Sequence, residues 1–237
     1  FESAFAGVIK TVDATDAELA QMREGFIALS QEIPVTASEL ASIGESAGQL
    51  GIANENILSF TETMANLAVA TNLTSEEAAT LLARFANVTG LPQTEFENLG
   101  SAVVALGNTM ATTESEIVAM AQRMAGAATN AGFAESEIMA LAASLSSVGI
   151  EAQAGGSSMV RTMNTIDSAV RASGDELAKL AEVTGMTSEQ LAAMWSDNAA
   201  GAFDSIIRGL GKVADSGGSV AGTLEELGIT ATMDITA

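Results

Sequence analysis

The chain contains no cysteine and no histidine. Without thiols, neither disulfides nor thiolate chemistry can contribute, and without imidazole the usual metal ligand and the side chain that titrates nearest neutrality are both missing. Cations are scarce as well: 9 Lys+Arg face 30 Asp+Glu, for a net charge of -21. Non-specific DNA binding works by neutralising phosphates with lysine and arginine, so this balance excludes it, and it argues equally against an anionic membrane surface. No run approaches the roughly 18 consecutive apolar residues of a membrane-spanning helix, and no basic, apolar leader follows Phe1. A chain that begins at Phe1 rather than Met reads as a section of something longer.

What is present is a folding composition. Hydrophobic residues make up 48% and charged residues only 16%, the reverse of a solvating acidic tail. Aromatics are 4%, with one Trp and no Tyr, so the apolar mass falls to Ala, Leu, Ile, Val and Met, which favour helix as a set. At 237 residues the chain has room for one or two domains with a buried core.

Punctuation is regular. Capping boxes, in which a Ser/Thr side chain accepts from the amide three residues on while Glu/Gln reaches back, are predicted at Thr36/Glu39, Thr74/Glu77, Thr94/Glu97, Thr113/Glu116 and Thr187/Gln190. Helix stops are predicted at Gly51-Ile52, Gly90-Leu91, Gly132-Phe133, Gly149-Ile150, Gly185-Met186 and Gly228-Ile229, where a left-handed glycine is followed by an apolar contact. Pro34 and Pro92 fall between helices. Apolar residues keep 3-4-3 spacing at Leu40, Ile43, Ala47, Leu50; Ile57, Phe60, Met64, Leu67; Ile138, Leu141, Leu145, Val148; and Met159, Met163, Ile166, Val170. The expected fold class is all-α: a compact bundle of about 8 to 10 short amphipathic helices.

Within the chain, the series Leu19, Met22, Phe26, Leu29, Ile33, Thr36, Glu39, Leu40, Ile43 maps with one constant shift onto Phe96, Leu99, Val103, Leu106, Met110, Thr113, Glu116, Ile117, Met120. The match resumes from Gly51-Ile52-Ala53 against Gly132-Phe133-Ala134. We therefore expect an internal duplication of a three-helix unit: a leading segment at 1–14, a first repeat at 15–91, a second at 92–173, and a degenerate third unit at 174–237. Gly209 to Thr223, rich in Gly and Ser, reads as a flexible joint before a last short helix around Thr223 to Leu227. The tail from Thr230 to Ala237 is too short to assign.

No residue set qualifies as catalytic, cofactor-binding or metal-ligating. Glu76/Glu77 and Glu225/Glu226 are adjacent carboxylates that point about 100 degrees apart on a helix, and they read as first-turn or solvated charges. Lys10, Lys179 and Lys212 lie in no recognisable motif. The alternating acids of a calcium loop are absent. Gly155-Gly156-Ser157-Ser158 lacks the lysine of a phosphate loop and reads as a plain helix N-terminus. Met110, Met120, Met124, Met159 and Met163 are expected as pliable core filler, and Trp195 as a core anchor. Arg84, Arg123 and Arg161 are expected to pair with surplus carboxylates.

Several stretches, in this order and spacing, resemble a known family: Asp13-Ala14-Thr15, Ala47-Gly48-Gln49-Leu50-Gly51-Ile52, Ala70 to Ala79 (ATNLTSEEAA), Arg84-Phe85-Ala86-Asn87, and Ser146 to Gly156 (SSVGIEAQAGG). From about Phe1 to Leu227 the chain resembles the core region of phage tail tape measure proteins of long-tailed phages and prophages. The resemblance implies a non-enzymatic virion component, found inside the tail tube or at the tail tip and in the host cytoplasm during assembly. It implies tail assembly, tail-length determination by templating the stacking of tube protein, and exit through the tip at genome ejection. Implied partners are further copies of itself, a few per tail, together with the tail tube protein, the tail assembly chaperone and tail-tip hub proteins. It brings no catalytic residues to this region and no cofactor. Some such proteins carry peptidoglycan-cleaving or membrane-spanning segments elsewhere; no such motif lies in this stretch.

Two other classes fit less. A peptidoglycan hydrolase needs convergent carboxylates and aromatic sugar platforms, and an all-helical bacterial adaptor or secreted interaction module would not need the chain-long resemblance. A single straight helix of this length would reach about 350 Å. Caps and glycines instead break the chain every roughly 12 to 20 residues, so it should fold back to a radius of gyration of roughly 18 Å, as a folded module with any extended ruler lying outside it. The acidic charge would keep such an occupant of a DNA conduit from adhering to the genome behind it.

Overall fold

A helix leaves its first amides and last carbonyls without partners, and in this chain the sequence meets both needs locally. The computed structural model describes residues 1–229; the tail from Thr230 to Ala237 lies outside them. Among the described residues there are thirteen α-helices and no strand, which is the expected all-α class with more helices than the 8 to 10 expected. They are α1 (Glu2–Thr11), α2 (Asp16–Glu32), α3 (Ala37–Gln49), α4 (Ile57–Ala70), α5 (Ser75–Thr89), α6 (Phe96–Thr109), α7 (Glu114–Ala131), α8 (Glu135–Ser147), α9 (Ala152–Ala172), α10 (Asp175–Thr184), α11 (Ser188–Asp197), α12 (Ala199–Asp215) and α13 (Val220–Glu226).

Capping boxes form at Thr36, Thr74, Thr113 and Thr187 as the spacing predicts, and also at Thr15, where the Glu18 carboxylate accepts from the Thr15 amide at 2.7 Å. The Thr94/Glu97 box does not form. Pro92 leads instead into a 3-10 turn, Gln93–Glu95, and α6 starts at Phe96 without a side-chain cap. At the other ends, Gly51, Gly90, Gly132, Gly149, Gly185 and Gly228 all hold positive φ, and the apolar residue after each donates its amide back to the carbonyl five residues earlier, as in Phe133 to Ala128 at 2.9 Å. Asn198 alone separates α11 from α12: its non-helical backbone breaks the helix while its side chain accepts from the Gly201 amide at 2.8 Å.

The helices stack in two rows. In one, α1, α3, α5, α7 and α9 pack each on the next; in the other, α2, α4, α6 and α8 do the same, and the hairpin partners join the rows. First-row helices begin at Glu2, Ala37, Ser75, Glu114 and Ala152, so a helix pair recurs every 35 to 39 residues. Within the rows the main contacts run between adjacent pairs, the pattern of stacked helix-pair repeats. Helices α10, α11 and α12 pack on one another as an end group. Trp195 anchors it as expected, 4% exposed, with its ring edge-on to Phe133 at 6.4 Å and its indole N–H donating to Asp167 at 3.3 Å. One apolar core, from Phe5 to Leu227, runs through both rows and the end group.

Small residues set how closely the helices approach. Gly155 and Gly156 lie inside α9, buried, where added β-carbons would stand 2.9 Å from the Met120 methyl and 2.7 Å from the Arg123 β-carbon of α7. They are a helix-crossing point rather than a bare N-terminus. The expected joint at 209–223 is mostly helix: α12 runs to Asp215 and only Ser216 to Ser219 connects it to α13. Gly209 is in that helix because α12 crosses α10 there, and an added β-carbon would lie 2.2 Å from the carbonyl oxygen of Val183. In α8 the most buried residues are Ile138, Met139, Ala142, Ala143 and Ser146; of the expected stripe Leu141 and Leu145 are half-buried against the core, and Val148, just past the helix, is 73% exposed. Alanines let α8 lie close on α7, which the 3-4-3 count of larger residues does not weigh.

Adjacent turns are stitched along both edges of the stack. Gln93, in the turn before α6, accepts from the Ala53 amide at 2.8 Å and from the Asn56 side chain at 3.3 Å, and donates to the Gly51 carbonyl at 3.0 Å. Asn54 donates to the Asp13 carbonyl at 2.7 Å and Asn87 to that of Leu50 at 3.1 Å. On the opposite edge, Asn72 bonds both the hydroxyl and the amide of Ser115, and the Thr112 and Ser146 hydroxyls meet.

Two predictions follow from this packing. Gly209→Ala should destabilise the chain by about 1 to 3 kcal/mol through overpacking on a backbone carbonyl, whereas Gly211→Ala, on the same helix with open space beside it, should stabilise by about 0.5 to 1 kcal/mol. Urea unfolding followed by Trp195 fluorescence separates the two signs. Gln93→Ala, which abandons three hydrogen bonds, should cost about 1 to 3 kcal/mol in the same assay, and Gln31→Ala, at an exposed position, close to nothing.

Candidate interaction surfaces

The carboxylates that sequence places in pairs do not converge. Glu77 closes the Thr74 capping box, its carboxylate 2.9 Å from the Thr74 amide and 2.8 Å from the hydroxyl, while Glu76 points to solvent. Glu225 and Glu226 are exposed at the end of α13, where the Glu226 carbonyl accepts from Lys179 at 3.2 Å. Among the described residues no three acidic side chains gather as a metal ion would require, and no helix is long and apolar enough to cross a membrane.

Several carboxyls are held as helix caps, and this shows in their acidity. The Thr15 amide and hydroxyl hold Glu18 below the ordinary carboxyl range, and Thr74 and Thr113 do the same for Glu77 and Glu116. For Glu39 the Thr36 hydroxyl is the larger cause and its amide the second. Each bond favours the ionised form, which also lies at the positive end of a helix dipole. These carboxylates are matched to holding helix ends, not to giving or taking protons near neutrality.

The few cations are spread unevenly. Residues 1–151 carry Lys10, Arg23, Arg84 and Arg123 against 19 carboxylates, whereas residues 152–229 carry Arg161, Arg171, Lys179, Arg208 and Lys212 against 10. Three ion pairs form among the described residues: Arg23 with Glu2, Arg171 with Asp167 at 2.6 Å, and Arg208 with Asp204 at 2.6 Å. Arg84, Arg123 and Arg161, expected to pair, are in none of them. Arg161 bonds the Ser158 hydroxyl at 3.1 Å instead, and the Arg123 stem lies against Gly156, so its methylenes are used for packing. Of the methionines singled out, Met120, Met124 and Met163 are fully buried, and Met110 and Met159 are half-buried against the core.

Three surface depressions differ in chemistry. A cleft of about 470 Å³ between α3 and the start of α5 is lined by Glu39, Glu45, Glu76, three serines, Gln49 and Thr74. One of about 390 Å³ between α10, α12 and α13 collects Lys179 and Lys212 with Glu182 and Glu226. A third, of about 400 Å³ between α4 and α6, is walled by Leu67, Ala70, Gly100, Val104 and Ala105. The sequence marks the lysines singly but not their meeting, because α10 and α12 come together only in the fold. The Thr15/Glu18 box, by contrast, is legible as a T-x-x-E pattern.

As pH falls, the capping carboxylates should cost stability. Their folded pKa values lie below the unfolded value of 4.5, so their contribution is complete above that pH and is lost as pH drops through the folded values. Replacing Glu18, Glu39, Glu77 and Glu116 by Gln should therefore flatten the decline of urea-unfolding stability below about pH 4.5 relative to the parent. An unchanged slope would place the acid sensitivity elsewhere.

Compared with known proteins, the chain matches the family model described as phage-related minor tail protein over residues 23–227. No curated protein and no solved structure matches it.

Proposed function

The chain belongs to the phage-related minor tail protein family, a structural, virion-associated component of phage tails, and from that premise we propose that it is a folded section of a tape measure protein. What carries this reading is the ordered resemblance of its stretches from Asp13 to Gly156 to the tape measure core, over a chain whose family match spans 23–227. In this reading the whole protein occupies the tail tube or its tip, takes part in tail assembly and length determination, and leaves at genome ejection. A few copies associate with one another and meet the tube protein, the assembly chaperone and the tip hub. Nucleic acid is not a direct ligand, because the surface offers it so few cations.

Geometry supports a folded module over a straight ruler. Helices two apart in sequence pack side by side in two rows, so one helix pair adds only the width of a helix, about 10 Å, to the stack. The internal duplication, with units at 15–91, 92–173 and 174–237, belongs to the same proposal. In its favour, Thr36 and Thr113 start α3 and α7 with the same box, Gly51 and Gly132 end them in the same left-handed turn, and the 77-residue shift from Leu19 to Phe96 spans two helix pairs.

Tail length tests the proposal directly. Duplicating residues 75–113 in the full-length protein should change tail length by at most about 10 Å, whereas 39 residues of extended helical ruler would add roughly 58 Å. Electron microscopy of negatively stained tails resolves the averages. The longer increment would overturn the folded-module reading, and tails of normal, uniform length in the absence of the whole protein would overturn the tape measure role.

A further inference from the structure

The row of α2, α4, α6 and α8 carries an open groove that no element among the described residues fills. Gly100 lies on its floor, where an added β-carbon would lie 3.3 Å from both Leu67 and Thr63, so the missing side chain lets α6 come close to α4. Its walls are Leu67, Ala70, Val104 and Ala105, and towards the start of the helices it continues past Thr63, Asn66 and Glu97 into a smaller depression of about 150 Å³ beside Phe60, Phe96 and Gln93. From Ser59 to Ala70 along α4 the groove runs about 16 Å, three turns of an incoming helix. Only small side chains line its far end, which leaves room for large apolar anchors from a partner.

The rim decides what the occupant is. Glu62 and Glu97 are exposed on either side, and neither α4, α6 nor the turn Gln93–Glu95 contains a lysine or arginine. A second copy at net charge -21 would bring like charge to a carboxylate rim, which disfavours it here. We propose that the α4/α6 groove receives a cationic amphipathic helix of another protein, with large apolar side chains at i, i+3 or i+4, and i+7 on the floor and Lys or Arg at Glu62 and Glu97. Like other stacked helix-pair arrays, the chain would then recognise its partner along an extended face made by successive repeats.

The test uses the whole chain and a synthetic 14-residue helical peptide of leucine and lysine, with leucines at i, i+3, i+4 and i+7. A scrambled peptide of identical composition is the control, and titration is at physiological salt by fluorescence anisotropy. The patterned peptide should bind at least tenfold more tightly than the scrambled one. Ala105→Met with Ala70→Phe, at two exposed wall positions, should weaken it at least tenfold, and Glu62→Lys with Glu97→Lys should do the same. Glu24→Lys with Glu76→Lys makes the same change of charge elsewhere and should leave binding within about twofold. Equal binding of the two peptides, indifference to groove filling, or equal loss from both charge pairs would each overturn the proposal. Unchanged helical circular dichroism and an unchanged urea-unfolding midpoint in every variant show that the fold is kept.

Discussion

The described residues form thirteen helices of 7 to 21 residues, and so many helix ends leave many backbone polar groups without intrahelical partners. Satisfying those ends is the constraint on which the rest depends, because an unpaired amide or carbonyl buried in a turn costs about as much as several good contacts supply. Threonine boxes at the starts and left-handed glycines at the stops meet the need within three to five residues of chain. The turns can therefore be tight, and some consecutive helices, such as α3 and α4 or α7 and α8, lie side by side, while others are joined through the helices two apart that stack as rows.

With the ends settled, packing is governed by size. Alanine and glycine at the contacts bring helix axes close, while Phe26, Phe60, Phe85 and the buried methionines fill what remains. Gly209 against the Val183 carbonyl and Gly156 against the Arg123 stem show that glycine acts here as a shape inside helices as well as a conformation at their ends. Because the main contacts within the rows run between adjacent pairs, stability should be shared out locally along the stack, with the amide bridges of Asn54, Asn72, Asn87 and Gln93 carrying it from turn to turn.

Charge divides the surface more finely than the total implies. The carboxylates are partly occupied as caps, the cations gather after residue 152, and the α4/α6 face is left apolar with an acidic rim. Much of this was visible beforehand: Thr36, Thr74, Thr113 and Thr187 start helices, all six glycine stops hold, and Trp195 is buried. The exceptions are physical. Thr94 lost its box because Pro92 set up a 3-10 turn, and Arg84, Arg123 and Arg161 stayed out of ion pairs because an exposed pair is worth too little to direct a side chain.

The sequence by itself determined the helical class, where most helices begin and end, the acidic character and the lack of imidazole and thiol chemistry. All of these are set by composition or by contacts within about five residues. Only the tertiary structure decided that Gly209 to Asp215 is helix rather than joint, that α8 turns its alanines inward and leaves Val148 in water, and that Lys179 and Lys212 share a cleft. It alone placed Gly100 at the bottom of a groove. Caps act across a few bonds of chain and can be read from it, whereas a helix's buried face and the space beside it depend on the neighbour it meets, from which it is separated in sequence by a whole turn of the stack.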